Sequence, residues 1–218
     1  MKTNLLRSMA IVAAFVTVLA LGGGTAQAAT CTVPSISPLY VTIQDAVDDP
    51  NCITINVAPG PRTENVTIPR SLTLNGAQAG SPVAGRVFGV GESTVQGLIT
   101  VQAAFVTIDG FSLTNPNQNF AILVKTAGDD GFITNNIIQK VGSTSLTTNP
   151  AAIYLEYGPD RVRVVGNRIS DVVSIPTAQG ILIGDSTSNN ASLNILIEGN
   201  SISDISSTRG AYGIQVNN

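Results

Sequence analysis

The chain contains no histidine and no tryptophan, and both of its methionines, Met1 and Met9, fall within the first ten residues. Copper sites are built from soft or imidazole ligands, so the remainder of the chain has nothing to offer one. Charge is scarce as well. Beyond residue 28 there are nine Lys/Arg and fourteen Asp/Glu, a net charge of −5. That balance excludes nucleic acid as a partner, because phosphate neutralisation needs basic patches, and it gives no steering toward polyanions. Cysteine is limited to Cys31 and Cys52. They are expected to form one disulfide, closing a loop worth about 3 kcal/mol of chain entropy. Their spacing is not that of a redox pair, and no further ligands lie beside them.

Lys2 and Arg7 precede an apolar run, residues 10–21, and the small-x-small site Ala26-Gln27-Ala28 follows. Residues 1–28 therefore read as a secretory signal peptide. The run is too short for a membrane anchor, and no other segment is long and apolar enough to span. The expected location is secreted, periplasmic or at the cell surface. Residues 29–52 form a lead-in and N-terminal cap, and residues 53–218 the main domain. Within the cap, 42–48 reads as a short amphipathic helix: Thr42 and Asp45 fit a capping box, Ile43, Ala46 and Val47 share a face, and Pro50 stops it.

The main domain repeats itself. Leu74-Asn75-Gly76, Ile108-Asp109-Gly110, Ile133-Thr134-Asn135, Val164-Val165-Gly166 and Ile197-Glu198-Gly199 begin 34, 25, 31 and 33 residues apart. A second motif is interleaved: Ala121-Ile122-Leu123-Val124, Ala152-Ile153-Tyr154-Leu155, Gly180-Ile181-Leu182-Ile183 and Gly213-Ile214-Gln215-Val216. Two short strands per period, locked in phase, predict a solenoid of nearly equivalent coils. Ile108, Ile133, Val164 and Ile197 are expected to stack in one inward column, and Leu113, Ile138, Ile169 and Ile202 in another. Asn136, Asn167 and Asn200 fall at the bend between strands. Asn tolerates left-handed backbone there, and stacked amides can bond along the ladder. Segments 77–97, 141–150, 172–179, 185–194 and 203–212 read as loops.

The stretches "TIQDAV", "ITINVAPG", "TENVTI" and "SLTLNGA" resemble the opening of a right-handed parallel β-helix of the pectin-lyase-like superfamily. The resemblance covers roughly residues 40–218. It implies an all-β right-handed parallel β-helix of about five coils with a short N-terminal capping helix. It implies no particular activity. The Gly-His-Gly of polygalacturonase-like enzymes and the Leu-Gly-Arg-Pro-Trp of pectin methylesterases are both missing. The chain stops at Asn218 just after a strand, so a longer protein or another chain is expected to cover that end.

Two functions fit. The first is a non-catalytic module that binds polysaccharide or cell-surface glycan, or mediates surface adhesion, with no cofactor. The second is a polysaccharide lyase acting by Ca²⁺-assisted β-elimination, in which a basic residue abstracts the proton α to a uronate carboxyl and a carboxylate-bound cation stabilises the enolate. Its candidate base is Lys125 or Arg163, its Ca²⁺ ligands Asp129, Asp130, Glu156 and Asp185, and its sugar contacts Tyr154, Glu156 and Tyr157. The simpler alternatives are a Lys125–Glu156 cross-strand ion pair and a turn at Asp129-Asp130.

Overall fold

The computed structural model describes residues 29–36, 39–184 and 191–217. Residues 1–28, the segment expected to be a signal peptide, lie outside these. The described chain is nearly all β, with one short helix and three parallel sheets. The first sheet contains Ala29–Val33, Cys52–Val57, Thr73–Asn75, Thr107–Asp109, Phe132–Thr134, Arg163–Val165 and Leu196–Glu198 in that order. The second runs Gly60–Thr63, Ser93–Gln96, Phe111–Pro116, Ile137–Gly142, Arg168–Val173 and Ser201–Ile202. The third runs Val66–Ile68, Ile99–Val101, Phe120–Val124, Ala151–Leu155, Thr177–Ile183 and Gly210–Val216. The chain visits first, second and third sheet in turn six times, one repeat more than the five expected. Ala29–Val33 adds an extra strand to the first sheet, pairing with Cys52–Val57.

Register stacks like residues on like. In the first sheet Ile55, Leu74, Ile108, Ile133, Val164 and Ile197 pair in succession. Val95, Leu113, Ile138, Ile169 and Ile202 do so in the second, and Ile99, Ile122, Ile153, Ile181 and Ile214 in the third. The central members are fully buried and form one continuous core. Both inward columns expected from the motif spacing are present.

The three corners between sheets are built differently. At the first corner, from first to second sheet, the Asn side chains form a buried ladder. Asn136 Oδ1 accepts from Phe111 N at 3.0 Å. Asn167 Oδ1 accepts from Asn136 N and Nδ2 at 2.9 and 3.1 Å. Asn200 Oδ1 accepts from Asn167 N and Nδ2, both at 2.9 Å. Each Nδ2 also reaches a carbonyl of an earlier repeat: Ile108, Ile133 and Val164 respectively. The left-handed residue is not the Asn but the one before it: Asn135 at φ 52°, Gly166 at 67° and Gly199 at 62°. The bend is thus divided between two neighbours, one supplying backbone conformation and the next supplying bonds.

The helix Ile43–Asp48 has the expected capping box: Thr42 Oγ1 accepts from Asp45 N, and Asp45 Oδ2 from Thr42 N. It buries Ile43, Ala46 and Val47. Gln44 exchanges two bonds with Thr67 on the outermost strand of the third sheet. Arg70 gathers the carbonyls at the helix end, with Nη2 donating to Val47 O at 2.8 Å and Asp49 O at 2.6 Å. The Cys31–Cys52 disulfide joins the first two strands of the first sheet.

Segments read from sequence as loops carry strands: Ser93–Gln96 lies within 77–97, Thr177–Ile183 begins within 172–179, and Ile205–Ser206 lies within 203–212. Gly60–Thr63 has Pro61 and no alternation, yet it pairs with Ser93–Gln96. It is an edge strand, where a missing N–H costs nothing. Between Asn75 and Ser93 the loop straps down onto later repeats. Glu92, only 1 % exposed, takes a bidentate bond from Arg86 at 2.9 and 2.7 Å. Arg86 also donates to Asn135 O, and Arg168 donates back to Arg86 O. That buried pair has its donors satisfied by carbonyls, the condition under which a buried charge is tolerated.

Candidate functional site

The third corner, from third to first sheet, holds most of the residues that chemistry would single out. Lys125 follows the strand Phe120–Val124 and Glu156 follows Ala151–Leu155, one repeat on. Lys125 Nζ lies 2.6 Å from Glu156 Oε2. Past Lys125 the turn carries Asp129 and Asp130; past Glu156 it carries Asp160 and Arg161. Arg161 grips Asp130 with Nε to Oδ1 at 2.6 Å and Nη2 to Oδ2 at 2.8 Å. Asp129 Oδ1 accepts from Asp160 N, and Asp160 Oδ1 accepts from Leu193 N, each at 2.8 Å. Each carboxylate therefore ties its turn to the turn of the next repeat.

The backbone explains why these side chains line up. Phe105, Asp130, Arg161 and Asn194 are all left-handed, at φ 58°, 53°, 57° and 56°. Phe105 N donates to Asp129 O, Asp130 N to Asp160 O and Arg161 N to Leu193 O. One strained conformation repeats in four consecutive turns, stacked by main-chain bonds. The Arg161 bonds hold the Asp130 carboxyl below its usual range, with the charge of Arg161 adding to them. The same contact holds the Arg161 guanidinium above its ordinary value.

Arg163, the other candidate base, stands two residues beyond Arg161 on the outer face of the first sheet. Its guanidinium carbon sits 5.6 Å from the centre of the Phe132 ring. With Asp130, Arg161, Asn194 and Leu196 these two line a shallow groove of about 280 Å³. Lys125 and Glu156 do not line it. Tyr154 is buried in a small apolar cluster with Leu123, Ala151 and Leu182 on the outer side of the third sheet. Tyr157 is half-buried in the turn at φ 43°. Asp185 lies outside the described residues. Among those described, no three of His, Cys, Asp or Glu converge as a metal site would require.

The second corner, from second to third sheet, holds a feature the sequence reading passed over. A groove of about 570 Å³ crosses the first three repeats, well within the size of ligand sites. Thr63 and Asn65 come from the first repeat, Gln96 to Leu98 from the second, and Asn115, Pro116, Gln118 to Phe120 and Leu123 from the third. Asn115 Nδ2 donates to Phe120 O at 2.5 Å, and Asn65 Oδ1 accepts from Leu98 N at 2.9 Å. Thr148, from the longer loop of the fourth repeat, donates to Asn119 Oδ1 at 2.5 Å. Phe120 packs on Tyr154 with ring centres 5.0 Å apart. A signal for this groove was present: five of the six residues 115–120 are Asn, Gln or Phe, placed just before a buried strand.

Lys125 and Phe120 stand at opposite ends of one strand, roughly 16 Å apart by strand rise. At the Lys125 end the acidic groups are bonded within the protein. At the Phe120 end the Gln96 and Gln118 side chains are exposed and make no hydrogen bond to other described residues. Among the described residues, no helix is long and apolar enough to cross a membrane. No family model, curated protein or solved structure matches the chain.

Proposed function

We propose that the three-sheet stack is a right-handed parallel β-helix of the pectin-lyase-like kind, exported by its N-terminal leader, and that it works as a non-catalytic module contacting glycan. The observation that carries this reading is the groove at the second corner. It offers amide side chains beside a fixed aromatic ring, the pairing of polar and apolar contacts that sugars require. The two-strand spacing, the aliphatic ladders and the Asn ladder support the β-helix.

The lyase reading finds less support in the geometry. A general base must reach the substrate proton in an accessible cleft, and Lys125 instead meets Glu156 outside both grooves. Asp129 and Asp130 are engaged with Asp160 N and Arg161.

The test is a screen of the protein against acidic and neutral polysaccharides, with Ca²⁺ or with chelator, following both binding and ultraviolet absorbance. Binding without an unsaturated product is expected. Calcium-dependent absorbance that disappears in Lys125→Ala or Arg163→Ala would overturn the proposal in favour of β-elimination.

A further inference from the structure

We infer that the groove at the second corner takes a neutral glycan, one bearing hydroxyls and no carboxylate, sulfate or phosphate. This rests on the glycan-module reading and names its ligand class. None of the eleven residues lining the groove carries a charge. Glu64, between Thr63 and Asn65 in sequence, is directed away: its carboxylate oxygens accept from Ile43 N at 3.1 and 3.0 Å, at the start of the capping helix. An acidic sugar would have to shed water from its charge with no cation lining the groove to receive it, which is costly.

The groups that are present suit hydroxyls. A side-chain amide carries both donors and an acceptor, and a sugar hydroxyl likewise both gives and accepts. Gln96 and Gln118, on neighbouring repeats and free of bonds within the described protein, can each answer a hydroxyl in either sense. Asn65, Asn115 and Asn119 have part of their capacity occupied by the bonds that shape the wall. Leu98, Pro116 and Phe120 supply apolar surface for the C–H face of a pyranose. Phe120 costs little to order on binding because Tyr154 already holds its ring. The lining spans three repeats, roughly 10 Å along the stack at the usual strand spacing. That is the footprint of a short run of sugar units lying along the stack.

The binding is then predicted to be indifferent to salt, because no ion pair forms. The experiment is affinity electrophoresis of the intact chain through gels containing an uncharged glucan, mannan or galactan, or polygalacturonate, at low and at high salt. Retardation is expected in a neutral polymer and not in polygalacturonate, equal at both salts. Phe120→Ala and Gln118→Ala are each expected to weaken it about tenfold, the effect of one lost contact of 1.4 kcal/mol. Gln118 is exposed, so its variant keeps the test independent of folding. Retardation by polygalacturonate that falls with salt and is lost in Arg163→Ala would overturn the neutral class while leaving a glycan module in place. Neutral binding untouched by both groove variants would overturn the location. Silence in every polymer would overturn the glycan reading itself.

Discussion

Two corners of the repeat use polar side chains in opposite ways. At the third corner, Asp129, Asp130, Asp160 and Arg161 bond to the next turn, and Lys125 closes on Glu156. At the second, Gln96 and Gln118 face a groove with nothing in the described protein to bond. The richest cluster of ionisable groups is therefore the more structural of the two, and the amide-rich bend the more available. Charge density is a poor guide to function in a stacked fold, because each turn has a neighbour of the same backbone shape about 4.8 Å away against which to satisfy its side chains.

The sharpest way to test this division is to break a purely structural corner and compare. At the first corner, Asn167→Ala removes the acceptor of the Asn136 N–H and of one of its two amide protons in a buried bend, the Nδ2 bond to Ile108 O remaining. It is expected to lower stability by about 3 kcal/mol in urea unfolding, since orphaned buried donors cost about 1–3 kcal/mol each. Asn200→Ala removes the same bonds from a half-buried position and should cost about 1 kcal/mol. Equal losses would mean that burial does not govern the ladder.

Phe120→Ala comes next. It should cut glycan affinity about tenfold, or 1.4 kcal/mol, while leaving the cooperative unfolding transition in place. Collapse of the fold instead would make the groove a packing feature.

The third corner should respond to acid. Asp130 is held below its ordinary range by Arg161, so its contribution is present above the unfolded value and is lost as pH falls through the folded one. Asp130→Asn keeps a side chain that accepts left-handed backbone. The stability gap between wild type and Asp130→Asn should be present at neutral pH and close below about pH 4, the ordinary carboxylate value. A gap unchanged at low pH would show that the charge of Asp130 does not hold this turn.

The smallest effect belongs to Lys125→Ala. A half-exposed ion pair contributes well under 1 kcal/mol, commonly about 0.2–1. Glycan binding should not change. Loss of binding would shift the functional surface to the third corner.

The inward columns were legible from the sequence because Ile, Leu and Val recur at one phase through motifs such as Ile133-Thr134-Asn135 and Val164-Val165-Gly166. The Asn ladder was legible for the same reason, although the left-handed backbone belongs to Asn135, Gly166 and Gly199. Gly60–Thr63 and Ser93–Gln96 were not legible, since neither carries an alternating apolar pattern in sequence and each is a strand through its pairing with other repeats: Gly60–Thr63 with Ser93–Gln96, and Ser93–Gln96 also with Phe111–Pro116. The Arg86–Glu92 pair was hidden for a related reason. Five residues of loop separate the partners, and Arg86 also bonds to Asn135 and Arg168, far along the chain. Lys125 and Glu156 were correctly placed as neighbours, but sequence could not say whether that contact left a cleft. The groove at Phe120 was missed because its walls come from three repeats and only the segment 115–120 is unusual.

The most direct measurement is side-by-side titration of a neutral polysaccharide into wild type, Phe120→Ala and Lys125→Ala by calorimetry. Weakened binding in Phe120→Ala with wild-type affinity in Lys125→Ala is the predicted result. The reverse pattern, with Lys125→Ala abolishing binding and Phe120→Ala indistinguishable from wild type, would contradict it.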